Sequence, residues 1–286
     1  MATLDRKGLA RQAASCAARA RARHGLPFIA PVDIVSLAED CGCEVRFMSL
    51  PSLEGVYSPT PRPTIVIGSE RPAGRRTYNC AHELGHHLFN HGMRVDGLDA
   101  QRYSWTKAAE EYLADVFAGM LLMTREAIRR SIKNRGWSVQ TLTAHQVFRL
   151  AAYFGVGYMT LLSHMKWSLS MISRSAYEEL RKTTPKQLKA DFAAPAQTEA
   201  VIVDCHWKHR AVDLAVEDTL ILPVGARVEG LERLAPQGLI QGQPTFKATA
   251  KGYSRACREA DDWAVNIRIS ARGYQGLARY RFYEDV

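Results

Sequence analysis

The chain has 286 residues, 47% of them hydrophobic, which suffices for two or three domains with real cores. No apolar run approaches the roughly 20 residues that cross a bilayer, and six cysteines scattered at 16, 41, 43, 80, 205 and 257 give no disulfide framework, so the expectation is an enzyme of the reducing cytoplasm with no membrane partner. A formal net charge of +9 keeps nucleic acid among the partners to be weighed.

Met1 to Arg23 mixes alanines with arginines and lacks a continuous apolar centre, so it reads as an N-terminal helix rather than a signal peptide. Arg6, Lys7, Arg11, Arg19, Arg21 and Arg23 occur there with no acid between them. Farther on, Thr64-Ile65-Val66-Ile67 follows the hairpin-like Tyr57-Ser58-Pro59-Thr60-Pro61-Arg62-Pro63 and reads as a strand whose edge would pair with an extended substrate. Tyr57 reads as an edge-strand aromatic, with help to an oxyanion as the alternative.

His82-Glu83-Leu84-Gly85-His86 is the most informative stretch. A helical residue advances about 100°, so histidines four apart lie about 40° from each other on one face and both can hold one metal ion. Glu83 projects from the edge of that face, where a carboxylate can take a proton from an attacking water. Tyr78, Leu84, Leu88 and Phe89 make the helix apolar, and a buried polar triad would be costly without a metal to satisfy it. Cys80 lies about 200° from His82 and reads as core. His87 points off the metal face, and His91 falls near the helix end, so both are expected to be structural or solvent-exposed.

Zinc needs a third protein ligand and an open position. Residues 110 to 123 read as a second buried helix, with Leu113, Phe117, Met120 and Leu121 as its core stripe and Glu111 and Asp115 on another face. Glu111 is the expected ligand, Glu110 pointing about 100° away, and Asp115 is expected to accept the N–H of a metal-bound histidine.

A basic run follows: Arg125, Arg129, Arg130, Lys133 and Arg135 against Glu126 alone. Val147 to Phe154, then Gly155-Val156-Gly157, then Tyr158 to Leu162 resembles a helix-turn-helix. Its second helix is mostly apolar, which favours packing over base reading. Residues 182 to 197, with Pro185 and Pro195, read as a linker. Beyond it lie short β-like runs at Ala200 to Val203, Thr219 to Leu222, Trp263 to Ile269 and Ala278 to Tyr283, the last two expected as a hairpin or small sheet. Arg268, Arg272, Arg279 and Arg281 lie close to Tyr274, Tyr280, Phe282 and Tyr283, a mixture suited to single strands, although such runs more often only solvate a surface. The expected organisation is α+β: a metallopeptidase domain over 1–125, a helical, helix-turn-helix-like segment and linker over 126–195, and a β-rich sensor or regulatory domain over 196–286.

The run Tyr78-Asn79-Cys80-Ala81-His82-Glu83-Leu84-Gly85-His86-His87, with Glu111, Ala114, Asp115, Phe117, Ala118 and Leu121-Leu122-Met123, resembles the ImmA/IrrE family of bacterial zinc metallopeptidases over about residues 27 to 125. Pro31 to Glu39 and Cys43 to Phe47 are similar to that family's helix and first strand, and the chain departs at Asn79 and Cys80, where members commonly carry Thr and a large aliphatic. The resemblance implies a zincin-like fold and gluzincin chemistry, with His82, His86 and Glu111 on zinc and Glu83 as general base. It also implies a protein substrate, usually a helix-turn-helix repressor, in mobile-element, stress or phage-defence operons.

Such a protease needs restraint, and a thiolate is a strong zinc ligand. Cys205, in the polar stretch Asp204-Cys205-His206-Trp207-Lys208-His209-Arg210, is the candidate inhibitory ligand, with a free or structural thiol as the alternative and single-stranded DNA as the expected trigger. The competing function is a non-enzymatic regulator that kept the metal and binds DNA or a partner. Glu83 favours the peptidase, since a structural zinc site has no need of a base.

Overall fold

The computed structural model describes residues 5–97, 105–208 and 210–283. Contacts divide the chain into two units, Met1–Arg130 with Trp167–Leu169 and Gln275–Arg279, and Ser131–Lys166 with Ser170–Tyr274 and Tyr280–Val286. Among the described residues no helix is long and apolar enough to cross a membrane.

The first unit begins with α1 (Arg6–Arg23), capped by the Asp5 carboxylate, which accepts from the Gly8 N–H at 3.0 Å. Ala13, Ala17 and Ala20 form its buried face, and small side chains let it lie close to α4 (Trp105–Leu122). Arg21 departs from the solvated run expected at this end. It is fully buried, and its guanidinium donates to the Leu121 carbonyl at 2.8 and 2.6 Å, to Pro27 at 2.6 Å and to Ala30 at 3.0 Å. It thereby occupies the Leu121 carbonyl at the C-terminal end of α4, one of those that no intrahelical N–H can reach.

Between these helices lie α2 (Ile34–Asp40), β1 (Glu44–Met48), β2 (Leu53–Ser58), β3 (Thr64–Gly68), α3 (Ala73–Leu88) and β4 (Arg94–Gly97). The sheet runs from a short strand at Gly276–Leu277 through β1, β3 and β2 to β4. β3 pairs in parallel with β1 and antiparallel with β2. This corrects the substrate-edge reading of Thr64 to Ile67: both of its backbone edges are used, and among the described residues the outer strands of this sheet are β4 and Gly276–Leu277. An alternating apolar pattern marks a strand as half-buried, but it does not say which neighbours flank it.

Helix α5 (Arg125–Asn134) leads into the second unit and buries Ala127, Ile128, Ser131 and Ile132 while exposing Arg129, Arg130 and Lys133. Helix α6 (Ala144–Phe154) starts at a Thr143–Gln146 capping box and stops at Gly155, whose φ of 68° suits a residue without a Cβ. Helix α7 (Tyr158–Ser163) is six residues long and buries Tyr158, Leu161 and Leu162, so this helix-turn-helix lookalike is packing. Two short helices follow, α8 (Arg174–Leu180) and α9 (Pro185–Ala190). The expected linker is therefore ordered structure: a second capping box, Thr184–Gln187, starts α9, and Leu188 and Phe192 are wholly buried.

Strands β5 (Ala200–Ile202), β6 (Val212–Ala215), β7 (Thr219–Ile221), β8 (Arg227–Glu229), β9 (Leu234–Ile240), β10 (Gln243–Ala248), β11 (Gly252–Arg258) and β12 (Trp263–Ser270) form two four-stranded sheets, ordered β5-β7-β10-β9 and β6-β12-β11-β8. Their inner faces share one core, including Leu220 and Phe246 from the first and Val212, Ala256, Trp263 and Ile267 from the second. Trp263 to Ile269 pairs with β11 rather than with the tail. Ala278 to Tyr283 is no strand. The strand there is Gly276–Leu277, which pairs with Phe47 and Arg46 of β1, and Ala278–Tyr280 is a single tight turn.

Candidate metal centre

Helix α3 carries His82, Glu83 and His86, all buried. Their imidazoles face each other edge to face, with Nε2 atoms 3.0 Å apart. Helix α4 brings Glu111 to the same point, its Oε2 3.2 Å from His82 Nε2 and 3.6 Å from His86 Nε2. Donors about 2.0–2.1 Å from a tetrahedral ion lie roughly 3.3 Å from one another. Two imidazoles and a carboxylate at this spacing fit a metal ion, and among the described residues these three form the one such group. Desolvation alone raises the Glu111 carboxyl, but hydrogen bonds and charge from His82 and His86 outweigh it and hold the group well below the usual carboxylate range.

The close approach of α3 and α4 depends on Gly85. A Cβ there would lie 3.1 Å from both the Ala114 Cα and a Phe117 ring carbon. Gly85→Ala is therefore expected to fold, at a cost of about 1–3 kcal/mol in overpacking, while pushing Glu111 away from the histidines. Zinc titration against a chromophoric chelator should show weaker binding, and affinity equal to the parent's would mean that the helices have slack.

Asp115, one turn after Glu111, accepts at 3.0 Å from His82 Nδ1, while Tyr78 donates its hydroxyl to the Asp115 carbonyl at 3.0 Å. With Nδ1 protonated and directed to a carboxylate, His82 presents the Nε2 lone pair to the metal position. His87 faces elsewhere, its Nδ1 2.9 Å from the Tyr57 hydroxyl and its Nε2 3.2 Å from the Cys41 carbonyl. Tyr57 is 3% exposed, with its hydroxyl on that contact. Cys80 is core. Of the two readings of His91, solvent exposure is the one that falls: the ring is buried, with Nδ1 2.8 Å from His86 Nδ1.

Glu83 is wholly buried where β2 crosses α3. A Cβ on Gly55 would come within 2.6 Å of the Glu83 carboxylate, so only glycine lets the strand pass. The neighbouring Glu54 holds this crossing. Its carboxylate lies 2.8 Å from Arg75 Nε and 2.9 Å from Asn79 Nδ2, and Asn79 also donates to the Glu54 carbonyl at 3.2 Å. The Gly55–Glu83 and Asn79–Glu54 contacts join residues far apart in sequence, and nothing in local spacing announces them.

Cys205 belongs to the second unit, in a turn after β5. Its thiol sits against the Arg258 guanidinium, and the flanking Asp204 accepts both arms of Arg135 at 2.7 and 3.0 Å. The basic tail is largely engaged: Arg268 and Arg281 pair with Asp213 and stack on Phe282, Arg272 pairs with Asp218 and Arg279 with Glu39. Tyr274 is 1% exposed, whereas Tyr283 is 65% exposed.

Residues 38–166 match the Peptidase M78 family model, described as the IrrE N-terminal-like domain. The chain carries an M78 peptidase domain. That domain contains α3, α4 and every member of the metal cluster. No curated protein matches the chain. Among solved structures, a Mycobacterium tuberculosis transcriptional regulator aligns at 16% identity with a TM-score of 0.39, over 55% of this chain and 46% of that one, a likeness too distant to carry an argument. The chain thus spans less than half of that protein's length.

Glu111→Ala is expected to lower uptake of added zinc far more than Glu110→Ala, since Glu110 lies outside the cluster that could hold a metal ion. Elemental analysis of the two purified proteins decides between them, and equal zinc content would mean that α4 is rotated from this setting.

Proposed function

We propose that this protein is a cytoplasmic zinc endopeptidase that cleaves a partner protein, a helix-turn-helix transcriptional repressor, and so derepresses a stress, mobile-element or phage-defence operon. The observation that carries the peptidase reading is the convergence of His82, His86 and Glu111 beside a buried Glu83. His82, His86 and Glu111 would hold a zinc ion, which would supply a Lewis acid for the scissile carbonyl and lower the pKa of the attacking water. Glu83 takes the proton from the attacking water and returns it to the departing amide nitrogen. The free edge of β4 holds the substrate extended by backbone pairing. The test is incubation of the purified protein with a repressor encoded beside it, with and without chelator; an intact repressor in both lanes would overturn the assignment.

Restraint is assigned to Cys205 as a fourth zinc ligand that a signal withdraws, the signal being single-stranded DNA. The exposed cations of α5, Arg129, Arg130 and Lys133, together with the exposed Tyr253 and Tyr283, support nucleic-acid contact. Cys205→Ala is expected to cleave without added oligonucleotide, and activation of the parent should fade with rising salt. A variant that behaves like the parent with and without oligonucleotide leaves Cys205 a structural thiol.

A further inference from the structure

Helix α3 ends in a way that folds its own continuation back onto the metal cluster. Phe89 closes the helix and Asn90 follows in the left-handed region, with φ of 55°. The Asn90 N–H donates to the His87 carbonyl at 3.1 Å and the His91 N–H to the His86 carbonyl at 3.0 Å, the paired bonds of a Schellman turn. Asparagine is the residue after glycine that tolerates this conformation most readily. The turn reverses the chain within two residues and brings the His91 ring against His86, with centroids 5.0 Å apart and planes tilted by 60°, and Phe89 stacks with His91 at 5.7 Å and 22°. Two imidazole nitrogens then meet Nδ1 to Nδ1 at 2.8 Å in a buried setting. One must donate and the other accept.

We propose that His91 is a positioning residue for His86: its Nδ1 lone pair accepts the His86 Nδ1–H, which fixes His86 in the tautomer whose Nε2 lone pair is directed at the metal. The inference rests on the metallopeptidase reading above. Asp115 does the same for His82 from α4, so each histidine of the pair is oriented by its own acceptor. The two acceptors differ in kind. Asp115 is an exposed carboxylate delivered by a separate helix, whereas His91 is a buried imidazole delivered by the terminator of the same helix. With His86 donating, His91 carries its own proton on Nε2. A ligand whose outer nitrogen loses its acceptor typically binds its metal about 10- to 100-fold more weakly.

The full-length protein is titrated with Zn2+ against a chromophoric chelator, and its Co2+ form is followed by visible absorption. His91→Leu, which keeps bulk but offers no acceptor, should weaken zinc binding about 10- to 100-fold and shift the Co2+ bands, while His91→Asn or His91→Gln restores part of the loss. Because a buried substitution can also compromise folding, the turn supplies a second route. Asn90→Ala strains the left-handed residue and should weaken zinc binding in the same direction, whereas Asn90→Gly keeps the turn and the affinity. Melting curves of the metal-free proteins separate loss of fold from loss of ligand geometry. If His91→Leu binds Zn2+ like the parent, or neither amide variant recovers anything, the proposal is overturned and the peptidase reading stands. A parent protein that takes up no zinc overturns both.

Discussion

Glu83→Gln should lower cleavage of the partner protein by about 10²- to 10⁴-fold while the protein still purifies with its metal, because a general base contributes on that scale and the ligand set is untouched. The substitution is nearly isosteric, which matters here. Glu83 is wholly buried and the backbone of β2 passes against its carboxylate at Gly55, so a shortened side chain would open a gap and a bulkier one would push the strand away. The amide fills the same slot but cannot accept a proton from water at neutral pH. Cleavage on a gel and zinc by elemental analysis are read on the same preparation. Undiminished cleavage with zinc retained would place the base elsewhere, and loss of zinc would mean that Glu83 supports the ligands rather than the proton transfer.

Arg21→Ala should cost about 3–5 kcal/mol of folding stability, a large fraction of what holds a domain together. The Arg21 guanidinium lies at the crossing of α1 with the end of α4 and donates to three carbonyl groups. Desolvation pulls its pKa down to about 10, so it remains charged at neutral pH and its burial is offset only by those hydrogen bonds. Removing it strands the carbonyls of Leu121, Pro27 and Ala30, each at about 1–3 kcal/mol where water cannot replace the donor. Urea denaturation reads the loss directly. A change under about 1 kcal/mol would show that solvent reaches these carbonyls. The neighbouring Arg19, an exposed residue whose side chain donates to the Ser15 hydroxyl within its own helix, is the control expected to show little change.

What local spacing encodes was legible before the fold. His82, Glu83 and His86 share a helix face because of helical periodicity, and Glu111 and Asp115 are one turn apart for the same reason; the structure brings the three candidate ligands together with Asp115 behind them. Features that depend on chain reversal or strand order were not legible. His91 is five residues past His86, a separation that faces away on a continuous helix, and it meets His86 only because Asn90 turns the chain. The alternation of Thr64 to Ile67 fits an edge strand and an interior strand equally, and only the pairing of β1 and β2 with β3 decides. Arg21 sits among arginines that solvate a surface, and its burial follows from a partner, Leu121, that lies 100 residues away. The linker reading failed because Pro185 marks the first turn of α9 rather than a break, a position where proline's missing N–H costs nothing.

The short strand Gly276–Leu277 gives the first unit a late component. It pairs with β1, whereas most of the chain between Ser131 and Tyr274 belongs to the other unit. During synthesis on a ribosome, α3, α4 and their candidate ligands emerge well before this strand does, so the sheet stays short of one member until the chain has been made through Leu277. A truncated or prematurely terminated product would carry every residue of the metal cluster on an unfinished sheet, with the β1 edge open to whatever strand it meets.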